Sequence, residues 1–257
     1  MLEADETALA ARSKPRVIKP PAVRRAELID CAHRLFLEKG YERTTINDVI
    51  AATALSKGAF YHHFRAKEDL LEAIAARFSE QAVGQAAGVQ GDASLNALQR
   101  LNLLLAATRE WKGDHLPELR AMFTTLLRPD NAVLYHRIVG AVFEAMAPTL
   151  TAVIEAGQAD GMFDVADAGV AAEALLWLGE GRRRVVVQAL DAIEAGDVNG
   201  GTDLLLKRLR AEEAMIDRIL GLPAGSIQLA GSDDFIRSMM VAWQATPATP
   251  APRKPAG

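Results

Sequence analysis

LSKGAFYHHFRAKEDLL, residues 55–71, puts a serine, a lysine and a glycine ahead of Tyr61, His62 and His63. Ser56 suits the N-cap of a very short helix, because its hydroxyl can accept a free N–H from the first turn. Phe60 and Phe64 are four apart, so they share a face and would pack inward. Adjacent helix positions point about 100° apart, so His62 and His63 do not face one another. Zinc-binding helices space their histidines by four instead. The other histidines are His33, His115 and His136. No metal site is expected. A catalytic reading needs a nucleophile beside a base, and Ser56 is better placed as a cap.

Upstream, Leu28, Ile29, Ala32, Leu35 and Phe36 recur at spacings of three and four from Ala22 until Gly40. That pattern predicts a helix closed by a glycine. Thr45, followed three residues later by Asp48, predicts the cap of a second helix over 45–52, with Ile46, Val49 and Ile50 on its inner side. A third helix follows over 56–63. Lys67 opens a fourth, with Leu70, Leu71, Ile74 and Phe78 on one face. Two short helices joined by a tight turn are helix-turn-helix geometry, in which the second lies in the major groove.

Charge supports a polyanionic partner. Residues 11–67 carry twelve Lys or Arg against five Asp or Glu, whereas residues 68–257 carry seventeen against twenty-five. A compact positive block on an acidic chain suits a local contact with nucleic acid. Half of the 257 residues are hydrophobic, so a large core is available. Cys31 is the only cysteine, which rules out an intrachain disulfide and suits a reducing, cytoplasmic compartment. The start MLEADETALA has no basic segment leading into an apolar core, so no secretory signal is expected. No run of about 18 apolar residues is present, so no membrane span is expected.

The segment then resembles the DNA-binding domain of TetR-family transcriptional repressors. The matching residues are Ile29, Ala32, Leu35, Phe36, Gly40, Tyr41, Thr44, Thr45, Ile46, Asp48 and Val49, then Ser56, Lys57, Gly58, Tyr61, His62, Phe64, Lys67, Glu68, Asp69 and Leu70. They span about residues 24–78. The resemblance implies DNA contacts from Thr44 or Thr45, Ser56, Lys57, Gly58, Tyr61, His62 and Lys67; each could otherwise be a cap or a solvated surface residue. Ala54 replaces the family's usual turn glycine, and Ala66 replaces its usual polar cap before the fourth helix. The Arg/Lys arm before Ala22 could enter the minor groove.

The rest of the chain reads as helices near 93–111, 116–127, 130–159, 167–192, 202–220 and 232–245, so the fold class is all-α. The domain reading is a basic arm over 1–21, a DNA-binding domain over 22–80, a ligand-binding and dimerisation domain over 81–222, and an extension over 223–257. Candidate ligand-lining residues are Trp111, Met122, Phe123, Leu126, His136, Phe143, Met146, Trp177 and Glu180, although aromatic residues and Met at helical spacing are also ordinary core. Arg182, Arg183 and Arg184 cover most of a helix circumference. Any that turns inward needs a carboxylate or an anionic ligand; otherwise the run is solvated, near Glu180 or Asp191.

These readings together describe a homodimeric repressor. It would bind a palindromic double-stranded DNA operator and be released by a small, mainly apolar effector, with no cofactor and no catalysis. The rivals are a helical enzyme or carrier of a hydrophobic molecule with an incidental basic patch, and a TetR-like activator.

Overall fold

The structure is a computed structural model that describes residues 20–53, 55–84 and 94–246. The basic arm up to Lys19, the turn residue Ala54 and the tail from residue 247 lie outside the described residues. Every regular element among the described residues is helical, as the sequence pattern predicts.

Helix α1 (Pro21–Lys39) starts on Pro21, whose fixed φ suits the first helical position, and stops at Gly40. Gly40 has φ +83°, and its N–H bonds the Phe36 carbonyl. Helices α2 (Ile46–Thr53), α3 (Lys57–His63) and α4 (Lys67–Gly84) follow. Leu28, Ala32, Val49, Phe60 and Leu70 meet at the centre of this unit, fully enclosed.

The C-terminal part holds α5 (Ala97–Asp114), α6 (Leu116–Leu126), a 3-10 turn (Pro129–Asn131), α7 (Ala132–Ala159), α8 (Ala168–Glu180), α9 (Arg183–Glu194), α10 (Val198–Ile219) and α11 (Asp233–Ala245). Helix α7 is the central column, packed on α4, α5 and α8, while α9 pairs with α10. Pro148 lies inside α7 without ending it. By length and apolarity alone α7 could cross a membrane, whereas the lack of about 18 consecutive apolar residues led to no such helix being expected. Arg137 on this helix bonds Asp69 and Glu72 of α4, both at 2.6 Å, and fixes α7 to the DNA-binding unit.

Two boundaries differ from the sequence reading. The helix expected over 167–192 is broken at Gly181–Arg182 into α8 and α9. Helix α10 begins at Val198, before the glycine pair, because Asp197 caps it by accepting the Gly200 N–H at 2.8 Å. Gly201 is needed there. A Cβ at that position would lie 2.5 Å from the Ala189 carbonyl oxygen, so bare backbone lets α9 and α10 approach closely.

The extension beyond residue 222 is part of the fold. Asp217 accepts the Gly225 and Ile227 N–H groups, and Glu213 accepts that of Ala230. Ile236, Met240 and Trp243 of α11 join the main core. Arg120 of α6 donates to the Trp243 carbonyl and pairs with Glu194.

Candidate nucleic-acid interface and the helices behind it

The second and third helices are built by local capping. Thr45 and Asp48 cap each other: the Thr45 hydroxyl donates to Asp48 at 2.7 Å, and the Asp48 N–H donates to the Thr45 hydroxyl at 3.1 Å. Lys39 pairs with the same carboxylate at 2.9 Å. These bonds, with Lys39 and Thr45 foremost, hold Asp48 far below the usual carboxylate range. Ser56 accepts the Ala59 N–H at 3.2 Å and starts α3, as its position predicts.

Helix α3 then divides by face. Phe60 and Phe64 point into the core, while Ser56, Lys57, Gly58, Tyr61 and His62 are exposed together. His63 is half-buried, and burial and then His62 depress its basicity. The two histidine rings touch edge to face at 5.1 Å. No cluster of three metal-ligating side chains occurs among the described residues.

Two expected DNA contacts are engaged elsewhere. Thr44 is buried, and its hydroxyl donates to the carbonyls of Gly40 at 2.9 Å and Leu35 at 3.2 Å. It ties the loop to α1 and presents nothing to solvent. Lys67 turns back as well: its ammonium donates to the Tyr41 carbonyl at 2.9 Å and lies 4.1 Å from the Tyr41 ring centroid. It is a strut between α4 and the loop at Gly40. The loss of a polar cap at Ala66 is compensated from within α4, where Asp69 accepts the N–H groups of Arg65 and Ala66.

The candidate ligand residues scatter. Trp111 and Leu126 are core, with Trp111 stacked on His115 at 4.2 Å. Phe123 packs half-buried against the main core, 6.0 Å from Trp243. Met122 lines a cleft of about 380 Å³ between α1, α4 and α6, shared with His33, Phe78 and Glu118. His136 is exposed, and Met146 is half-buried on α7. Phe143 and Trp177 meet edge to face at 5.0 Å, and Trp177 is about half exposed. Glu180 accepts the Tyr135 hydroxyl at 2.5 Å. These nine residues are thus spread over core, cleft and surface positions. Their periodicity reported burial, which core and pocket walls share.

Of the arginine run, Arg182 turns inward and finds a carboxylate. That carboxylate is Glu212 on α10, thirty positions away, rather than Glu180 or Asp191. Arg183 lies over the Tyr135 ring at 3.8 Å, and Arg184 is exposed.

Comparison with known proteins agrees with this geometry. Residues 28–74 match the model for bacterial regulatory proteins of the tetR family. Over 80 residues the chain is 38% identical to the HTH-type transcriptional repressor KstR2 of Rhodococcus jostii, covering 29% of this chain and 39% of that one. Over 96 residues it is 30% identical to KstR2 of Mycolicibacterium smegmatis, covering 37% and 46%. The chain thus matches less than half the length of either relative. A TetR-family transcriptional regulator from Syntrophomonas wolfei has the same fold: its TM-score is 0.53 at 20% identity, over 77% of this chain and 96% of that one. Residues 28–74, the segment folded as α1–α4 with Lys57, Tyr61 and His62 of its third helix open to solvent, are thus similar to the corresponding segment of the tetR family of bacterial regulatory proteins.

Proposed function

We propose that the chain is a ligand-responsive repressor that binds a palindromic DNA operator as a homodimer and is released by a small effector, with no catalytic step. The observation that carries this is the outer face of α3, where Ser56, Lys57, Gly58, Tyr61 and His62 are exposed side by side on a helix locked from behind by Phe60 and Phe64. Lys57 lies near the positive end of the helix and can meet phosphate or a base edge. Thr45, exposed at the start of α2, can reach the backbone. Thr44 and Lys67 are assigned to positioning.

An apolar stripe supports the dimer. Val170 and Trp177, one heptad apart on α8, are exposed, as are Leu204 and Met215 on α10. Exposed apolar residues on neighbouring helices suit a self-complementary interface of four helices about a two-fold axis. Two α3 helices would then enter successive major grooves, about 34–36 Å apart. Effector binding would favour a conformer with the wrong spacing, and affinity would fall through differential binding.

Selection of bound fragments from random duplex DNA tests the whole reading. A palindrome is expected, with affinity that falls steeply as salt rises. Salt-independent or non-palindromic binding would favour the carrier alternative. Sedimentation at micromolar concentration checks the dimer: Trp177→Glu places a charge in the proposed interface and should give monomers, whereas an unchanged dimer would place the interface on another face.

A further inference from the structure

A cleft of about 380 Å³ lies where the DNA-binding unit meets the C-terminal helices. Its walls are mainly apolar: Phe36 and Leu37 of α1, Leu71, Ile74 and Phe78 of α4, and Met122 of α6. The loop Gly40–Arg43, which connects α1 to α2, lines it as well. That volume and that mainly apolar lining suit a small molecule.

All but one of the charged side chains along this cleft have a partner. Lys39 pairs with Asp48 at 2.9 Å, Arg43 donates to the Lys39 carbonyl at 2.7 Å, and Glu42 lies 3.8 Å from Arg128. Glu118 is the exception. It lines the cleft from the first turn of α6, half-buried, and makes no hydrogen bond or ion pair among the described residues. His33 lines the same cleft but supplies no counter-ion. Burial, ahead of the Glu118 charge, depresses its basicity, and its Nε2 is covered without a hydrogen-bond partner among the described residues. Covering this carboxylate with a purely apolar body would be costly, whereas a hydrogen-bond donor offsets the cost. Lys39, Arg43 and Arg128 along the cleft disfavour an ammonium as that donor, and Glu118 disfavours an anion beside it. A neutral O–H meets both conditions.

Helix α6 is the firm wall of the cleft, because α11 and α9 hold it. Arg120 donates to the Trp243 carbonyl and pairs with Glu194 at 3.4 Å, and Phe123 lies 6.0 Å from the Trp243 ring. The loop is tied to α6 more weakly. Glu42 and Arg128, which link it to the end of α6, are both exposed, and such a pair contributes little. We propose that the cleft binds a neutral, mainly apolar molecule whose hydroxyl donates to Glu118, and that the occupant displaces the loop Gly40–Arg43 against a fixed α6. The proposal deepens the effector reading above and rests on it, by placing the effector between α6 and the DNA-binding unit. The loop leads into Thr45 and Asp48, which cap α2, and its Tyr41 carbonyl holds Lys67 of α4. Displacing it changes the alignment of α2 and α3, and operator affinity falls.

Equilibrium dialysis of the full chain at neutral pH with 1-naphthol and with naphthalene, which differ in the hydroxyl, tests the site. 1-Naphthol should bind about tenfold or more tightly, the worth of one hydrogen bond to a charged group. In Glu118→Met the preference should vanish at an unchanged melting temperature, because Glu118 has no partner to lose. Ala121→Phe narrows the cleft and should weaken both compounds. Saturating 1-naphthol should lower operator affinity about fivefold to a hundredfold, and Glu118→Met should lose this response while keeping its operator affinity. Equal wild-type affinities for the two compounds, or a preference that survives Glu118→Met, would overturn the site, and so would binding of neither. Tighter binding of 1-naphthoate or 1-naphthylmethylamine than of 1-naphthol would overturn the neutral donor. Tight 1-naphthol binding with operator affinity unchanged would overturn the displacement of the loop. In each of these cases operator binding that persists leaves the repressor reading standing. A chain that binds no operator under any of these conditions would overturn that reading by itself.

Discussion

Phe60→Ala should cost the protein about 3–5 kcal/mol of stability and abolish DNA binding, although Phe60 touches no DNA in the proposed mode. The ring is fully enclosed, edge-on to Tyr61 at 5.4 Å and tilted to Phe64 at 6.2 Å. Helix α3 has only seven residues, far below the length at which a helix is stable alone. Its orientation therefore depends on two inward aromatic rings and one serine cap. Removing the more deeply buried anchor leaves a cavity under the helix and frees the backbone that aligns Lys57, Tyr61 and His62. Urea unfolding measures the first effect and fluorescence anisotropy on labelled duplex measures the second. Lys57→Ala is the control, since it should lose DNA affinity while unfolding at the wild-type midpoint. A stability loss below about 1 kcal/mol for Phe60→Ala would mean that other contacts hold α3 in place.

The first four helices were legible because their signals are local. Gly40 ends α1, Thr45 and Asp48 cap α2, Ser56 caps α3, and two phenylalanines four apart give α3 its inner face. Each relation spans a few residues, so it can be read before any tertiary contact exists. The failures share the opposite property. Thr44 looked like a free hydroxyl beside a helix start, but the Leu35 carbonyl that buries it arrives from the preceding helix. Lys67 looked like a free cation at a helix N-terminus, but the Tyr41 carbonyl holds it from 26 positions away. The helix break at Gly181–Arg182 interrupts a run whose apolar period continues through it; what stabilises the break is Arg182 reaching Glu212.

The ligand region is hard to read for the same reason. Trp111 and Leu126 satisfied the pattern for a pocket wall, yet they are core. The arginine run left two readings open, an inward cation with a carboxylate or a solvated run near Glu180 or Asp191; Arg182 takes the first, with Glu212 as its partner.

Gly58→Leu should separate folding from function. Gly58 is exposed in the first turn of α3, and a Cβ built there meets nothing within 4 Å. In the free protein the leucine therefore costs nothing in packing. It replaces the residue with the least favourable helix propensity after proline, so stability should stay level or rise by up to about 1 kcal/mol. In the proposed DNA-binding mode the same position is the close approach between backbone and groove. A leucine there must either displace α3 or lose rotamer freedom against the duplex, and Lys57 and Tyr61 would be lifted off their contacts. The expected loss is about 1–3 kcal/mol per half-site, similar to one wrong base pair, and roughly double that for a dimer on a palindrome. Gly58→Ala should fall between wild type and Gly58→Leu. His62→Ala should weaken binding more than His63→Ala, because His62 is exposed on the outer face and His63 is half-buried behind it. Added zinc or chelator should change neither variant. Wild-type affinity in Gly58→Leu would show that the outer face of α3 does not enter the groove. The exposed row of Ser56, Lys57, Gly58, Tyr61 and His62 would then need another partner.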